Sequence, residues 1–362
     1  MTQNKSNPKF FATLFSDLIH FFNTLLSGRF FRNIKNDVRA INDFFIDQDN
    51  KKRLQTMGRL RRWFHIIIWL LKSLILKMSS FRRILFVLAL LFILSAPDRN
   101  NRIIIAFSIF IFLLLLELKD KLIARRELEA GRAVQRALMP EECPEVSGWD
   151  IWLYSRPAND VGGDLVDFVK VPDHSYGLVL GDVAGKGLGA ALLMSKLQST
   201  LRALVAEKDS LGDLATKMNR IFYRDTPSSS FASMIYLELK TDLPEIKLIN
   251  AGHQPPLLIK SGEVKNLPKG SQALGLSATV KYKEENLILA KSELLLIYSD
   301  GLSEARNQTG QFFGEERILN LVKNLYGLPA QSAGNQILRE IDSFAAATAQ
   351  TDDLSLIILK KK

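Results

Sequence analysis

Two uninterrupted apolar runs, ILFVLALLFILSA over 84–96 and IIIAFSIFIFLLLL over 103–116, follow one another across a polar turn, PDRNNR. They predict a helical hairpin. Runs of 13 and 14 residues reach only about 20 Å, against a hydrocarbon core of about 30 Å. Adding 81–83 and 117–118, whose arginine heads snorkel, brings each to the lower edge of a spanning helix. A transmembrane hairpin over 84–118 is therefore expected, in preference to a buried or re-entrant one. The flanking Arg82, Arg83, Lys119, Lys121, Arg125 and Arg126 place both termini in the cytoplasm by the positive-inside rule. Upstream, WFHIIIWLLKSLILKM over 63–78 is interrupted by His65, Lys72 and Lys77 and reads as an amphipathic helix at the headgroup level. Downstream, KLIARRELEAGRAVQRALM over 121–139 is rich in helix formers, with Leu128, Gly131, Val134 and Leu138 on one face and Pro140 and Pro144 as its stop. It predicts a linker helix within 119–140.

From 141 the pattern changes to short β-type runs: WDIWLYS, LVDFVKV, YGLVLGD, FASMIYLEL, EIKLIN, ELLLIYSD and finally DLSLIIL. Helical patterns interrupt them at 188–206 and 210–223 and return near 315–325 and 332–346. Strand runs clustered around paired helices predict an α+β layered domain over 141–362, not a repeating βαβ chain.

Composition sharpens this division. The net charge of +10 is concentrated at one end: residues 1–83 hold 16 Lys/Arg against 5 Asp/Glu, and the remainder holds 32 against 33. Such a basic segment attracts nucleic acid or anionic lipid, and the adjoining apolar hairpin favours lipid, with no nucleic acid expected. The single cysteine, Cys143, excludes an intrachain disulfide and a cysteine-based zinc site and agrees with a cytosolic setting.

The stretch GDVAGKGLGA over 181–190 follows an apolar run and opens a helical pattern, as phosphate-binding loops do. The P-loop pattern fails, because Gly181 to Gly185-Lys186 is one residue short and Gly187 stands where a hydroxyl is needed. Gly185, Gly187 and Ala190, with Glu207 downstream, fit the common dinucleotide pattern. Neither reading uses Asp182. Asp164, Asp300 and Asp352 share its setting, each abutting a β-type run, so strand ends can bring four carboxylates together. Two like charges 4 Å apart repel by ~4 kcal/mol at an effective dielectric of 20, so such a cluster protonates or binds divalent cations. Oxygen ligands without a Cys or His cluster point to Mg²⁺ or Mn²⁺.

From Glu127 to Leu359 the segments ELEAGRAVQRALMP, PANDVGGDLVDF, GDVAGKGLGAALL, NAGHQPPLL, LPKGSQALGL, IYSDGLSEARN, FGEERI and TDDLSLIIL resemble, in order, the PPM (PP2C-type) metal-dependent serine/threonine phosphatases. The resemblance is to their bacterial SpoIIE/RsbU-like branch. It implies a four-layer α-β-β-α sandwich and two Mn²⁺ or Mg²⁺ ions. Asp182 would bridge them, with the Val183 carbonyl on the first, Asp300 and Asp352 on the second, and Asp164 at the first directly or through water. Asp353 is an alternative to Asp352. The implied reaction is in-line attack on a phosphoserine or phosphothreonine by hydroxide formed from water between the ions. The implied substrate is a STAS-domain protein of the anti-anti-sigma type, with the linker helix as a regulatory element and a dimer contact. With the hairpin, this places the chain at the inner membrane with its phosphatase domain cytoplasmic. Two departures bear on the substrate cleft: Asn159 stands where eukaryotic-type members carry a phosphate-gripping Arg, leaving Arg156 and Lys186 as candidates, and Leu165-Val166 replace aromatics. His253 is read as structural before general acid. The rival reading is an inactive, membrane-tethered phosphoprotein-binding module.

Overall fold

The computed structural model describes the residues from 78 onward except 95–98, 141, 173, 242 and 347, with scattered positions between 58 and 76. The expected basic region 1–83 and amphipathic run 63–78 thus fall largely outside the described residues. Two compact units meet in the sequence at Lys121 and Leu122.

In the first unit, helix α1 (Ser80–Leu94) and the start of helix α2 (Arg99–Leu138) lie side by side. Arg82 donates to Glu117 at 2.9 Å and also to Asp120, Phe86 meets Phe110 edge-on at 5.7 Å, and Ala89 and Ala106 are buried. The two apolar runs do pair, but no described helix is long and apolar enough to cross a membrane, so the expected transmembrane hairpin over 84–118 is not shown. Helix α1 has 15 residues, about 22 Å of rise. The second run meets Glu117, Lys119 and Asp120 within a turn of its end.

The linker helix is not a separate element either. The second apolar run and 121–138 form one helix of 40 residues, because nothing between them breaks it. Its buried face also differs from the apolar stripe: Gln135 is 5% exposed, while Val134 and Leu138 point outward at 61% and 39%.

The second unit is built on two antiparallel sheets. Strands β1 (Trp149–Arg156), β2 (Leu165–Val171) and β3 (Ser175–Val183) come first. Helices α3 (Leu188–Leu204) and α4 (Leu211–Asp225) follow. Then come β4 (Ala232–Lys240), β5 (Glu245–Ala251), β6 (Leu257–Lys260), β7 (Glu263–Asn266), β8 (Glu284–Ile288) and β9 (Leu294–Tyr298). A short helix α5 (Asp300–Ser303), helices α6 (Gly314–Val322) and α7 (Ala330–Ala345), and strand β10 (Leu354–Lys361) complete the chain. One sheet runs β1-β10-β9-β6-β7 and the other β2-β3-β4-β5-β8.

Side-chain parity explains why the central strands read as unbroken apolar runs. In β4, Ile235 and Leu237 enter the core between the sheets, while Met234 and Tyr236 enter the core under α3 and α4. In β10, Ile357 and Leu359 face the other sheet and Leu356 and Ile358 face α6 and α7. Successive side chains leave a strand on opposite faces, so two covered faces require apolar residues at every position. Three cores in succession make four layers, α-β-β-α, as the sequence resemblance implies. Helix α4 shows the helical counterpart: Leu211, Leu214, Ala215, Met218 and Phe222 are its buried stripe, and the Ser210 hydroxyl caps it by accepting from the Asp213 N–H at 3.1 Å.

Candidate active site

The two sheets deliver carboxylates to one end of the sandwich. Asp182 is the next-to-last residue of β3 and lies opposite Ser233 of β4. Asp164 immediately precedes β2, whose register pairs Leu165 with Gly181, so continuing it by one residue sets Asp164 opposite Asp182. From the other sheet, Asp300 opens α5 directly after β9, and Asp352 and Asp353 lead into β10. Ser299 fixes this second pair: its hydroxyl donates to the Asp353 carbonyl at 3.0 Å and accepts from the Ser355 N–H at 2.9 Å.

Proximity registers as electrostatics. Burial, then the charges of Asp300, Asp352 and Asp353, hold the Asp182 carboxyl up at about 7. Burial and Asp352 raise Asp300 to about 6. Asp164 is 3% exposed and is pushed well above the usual carboxylate range by burial and then by Asp182. Its Oδ2 is buried without a hydrogen-bond partner. A carboxylate oxygen in that state calls for a proton or a cation.

The two neighbouring aspartates divide their work. Asp353 accepts from the Ala158 and Gly163 N–H groups at 2.7 and 2.6 Å, tying down the loop before Asp164. Asp352 is the more open of the two and accepts from Lys186 Nζ at 2.7 Å. The turn that presents Lys186 bends through Gly185 and Gly187 at φ 113° and 72°, values that L side chains avoid. Among the described residues no three His, Cys, Asp or Glu side chains form a ready-made ion cage. The donor set nevertheless suits a hard divalent cation, through all-oxygen ligands and the partnerless Asp164 Oδ2.

His253 is buried with both ring nitrogens engaged, by Ser233 Oγ at 2.9 Å and the Tyr298 carbonyl at 3.0 Å. A carbonyl only accepts, so Nε2 carries the proton and Nδ1 accepts the serine hydroxyl. Burial lowers its pKa to about 4, leaving a neutral, structural imidazole. Arg156 donates to Gln350 at 2.7 Å and Asp342 at 3.0 Å, and with Arg306 and Gly301 it borders a cavity of about 250 Å³.

Two buried polar assemblies escaped the sequence reading. Asp167, fully buried, accepts two bonds from Arg202 at 2.8 and 2.7 Å and one from Gln198 at 2.9 Å. The signal was present in Gln198 and Arg202, one helical turn apart on α3, and in Asp167, an acid three residues beyond Asp164. The other is Gln135, whose amide meets both polar groups of the Gly162 residue.

The family profile described as Stage II sporulation protein E (SpoIIE) matches residues 172–362, more than half of the chain. The chain belongs to the SpoIIE family. The SpoIIE-family match takes in Asp182, Asp300 and Asp352, and begins after Asp164. Protein IcfG of Synechocystis sp. is 28% identical over 273 residues, covering 67% of this chain and 42% of its own length. Phosphoserine phosphatase RsbU of Bacillus subtilis is 28% identical over 243 residues, covering 66% of this chain and 71% of its own. The chain thus spans less than half of IcfG. Among solved structures, the SiaA-PP2C domain of Pseudomonas aeruginosa superposes with a TM-score of 0.59 at 17% identity, over 67% of this chain and 99% of that domain. At that identity the likeness shows the fold, which is PP2C-type.

Proposed function

We propose that the chain is a metal-dependent protein serine/threonine phosphatase acting on a phosphoserine or phosphothreonine of a regulatory protein, a STAS-domain protein of the anti-anti-sigma type. The observation that carries this reading is the carboxylate cluster at one end of a PP2C-type sandwich, with the buried Asp164 Oδ2 lacking a partner. The similarity to a named phosphoserine phosphatase supports the substrate class. Asp164, Asp182, the Val183 carbonyl, Asp300 and Asp352 would hold two Mn²⁺ or Mg²⁺ ions. Bound there, these ions supply charge neutralisation at the phosphoryl oxygens and acidify a water molecule.

The chain's own residues do the rest. Asp353 holds the 158–163 loop through two N–H groups. Lys186, its side chain 58% exposed, keeps a positive charge at the mouth of the cluster, where an incoming phosphate dianion meets it first. His253 remains neutral and takes no part in proton transfer. The test is phosphate release from a phosphoserine protein substrate in Mn²⁺ and in EDTA. Release in Mn²⁺ that EDTA abolishes is expected. No release with Mn²⁺ or Mg²⁺, while phosphopeptide still binds, would replace the phosphatase with a tethered binding module.

The same reading places the chain at the cytoplasmic face of the inner membrane. Ile84, Leu91, Ile104, Phe107 and Leu114 are 53–68% exposed on the paired helices, large apolar side chains of the kind that lipid or protein covers. The basic N-terminal segment favours lipid. The full chain is expected to float with anionic phosphatidylglycerol vesicles and a form lacking 1–121 to stay behind. Equal behaviour of the two would remove the membrane from the proposal.

A further inference from the structure

We infer that Gln135 is a positioning residue, through which the end of helix α2 holds the 158–164 loop in register with the carboxylate cluster. The inference rests on the metal-dependent reading above. Gln135 is the buried polar member of an otherwise outward-facing last helical turn. Its Nε2 donates to the Gly162 carbonyl at 2.7 Å and its Oε1 accepts from the Gly162 N–H at 3.1 Å. Gly162 belongs to no strand or helix, so one side chain satisfies both of its main-chain polar groups. A primary amide is the neutral side chain that offers a donor and an acceptor side by side. The double bond fixes the height and the tilt of that stretch of backbone together.

What the fixed backbone controls lies on its far side. A Cβ at Gly162 would come within 2.6 Å of Asp353 Oδ2, the oxygen that accepts from the Gly163 N–H at 2.6 Å. A Cβ at Gly163 would stand 3.2 Å from the Val183 carbonyl oxygen, and Asp164 is the next residue. Three groups of the cluster, the Asp353 carboxylate, the Val183 carbonyl and the Asp164 carboxylate, are therefore in contact with this loop or part of it. The loop has no room on that side, so displacing it displaces them. The helix end is itself held, since Gln198 Nε2 donates to the Leu138 carbonyl at 2.6 Å and to Asp167 at 2.9 Å. Gln135 thus joins a braced helix end to a close-packed loop that Asp353 holds at Ala158 and Gly163 and that Gln135 holds at Gly162 between them. Groups that orient a metal's ligands change metal affinity or activity by about 10–100-fold when removed, and Gln135 acts on the ligands through the backbone it holds.

Full-length Gln135→Glu and Gln135→Leu separate positioning from plain structure. Glu keeps size and acceptor but loses the donor, and Leu loses both. Mn²⁺ binding by calorimetry is expected to weaken by about 10–100-fold in both, with KM for a phosphoserine peptide little changed and kcat partly restored at high Mn²⁺. Wild-type affinity in folded variants would overturn the inference. Hydrogen exchange on the wild-type chain gives a reading independent of the variants' folding. Mn²⁺ is expected to slow exchange in 158–164 and in 132–139 together, and protection of the loop without the helix end would equally overturn it. A wild-type chain that binds no Mn²⁺ at all removes the metal reading, and this inference with it.

Discussion

Asp182→Asn is expected to abolish phosphate release while making the metal-free protein more stable at pH 8. The two halves have one cause. Asp182 sits where burial and three neighbouring aspartates hold its carboxyl up at about 7, against 3.9 in an unfolded chain. Between those values the folded state binds more protons than the unfolded one, so stability falls as pH rises through this window and the loss is complete above about 7. The charged form then costs on the order of 4 kcal/mol, with the relief from the nearby Lys186 ammonium already included. Asparagine keeps the shape and removes the charge. Its gain in melting temperature should be largest at pH 8 and vanish below about pH 4. Activity moves the other way, because a neutral amide is a poor ligand for a hard divalent cation and the proposed bridging position is lost. A fall of about 10³-fold, the upper end of what losing one charge-stabilising group costs, is the expected scale. Paired thermal melts without metal at pH 4 and 8, with phosphate release in Mn²⁺, read both halves. A variant that is both less stable at pH 8 and fully active would contradict the assignment of Asp182.

Much of this site was legible because its chemistry is written in local words. An aspartate that abuts an apolar run and lies beside glycine or a second acid predicts a strand end and a tight turn, and Asp182, Asp300 and Asp352 all stand at or next to strand ends. Which strand lies beside which was not legible locally. Strand β1 pairs with β10 across almost the whole domain, Trp149 against Lys361, and nothing in either segment announces the other. The family resemblance implied the four layers, and the strand order is seen only in the structure. The short strands β6, β7 and β8 were missed because four or five residues carry too little apolar alternation to register, and β7 and β8 are moreover edge strands. On helix α2 the apolar stripe did not mark the buried face: Leu128, Gly131, Val134 and Leu138 share one side, yet Val134 and Leu138 are exposed and Gln135 is the buried residue. Hydrophobic periodicity has no term for a polar side chain whose amide replaces a missing main-chain partner. Length and charge around 84–118 set an expectation of spanning, and the paired helices are too short or too soon charged to show it.

Gly301→Ala is expected to unseat the second sheet's contribution to the site, even though it adds only one methyl group next to Asp300. A Cβ at Gly301 would lie 2.0 Å from the Asp353 carbonyl oxygen and 2.7 Å from its carbonyl carbon. Backbone cannot rotate aside as a flexible side chain does. The same carbonyl accepts the Ser299 hydroxyl at 3.0 Å, and Ser299 also bonds to Ser355 through its N–H at 2.9 Å and its hydroxyl oxygen at 2.9 Å. Relieving the clash therefore means moving either the start of α5, which carries Asp300, or the lead into β10, which carries Asp352 and Asp353. Overpacking a close-packed position typically costs 1–3 kcal/mol, and the absence of a compliant neighbour places this substitution at or above about 3 kcal/mol. Denaturant unfolding would give that loss as a lowered midpoint with an unchanged slope. Asp300 and Asp352 come from the two segments forced apart, so Mn²⁺ affinity should fall along with stability. Retention of wild-type stability would show that these segments part without cost and that the close approach at Gly301 does not fix the spacing of the two aspartates.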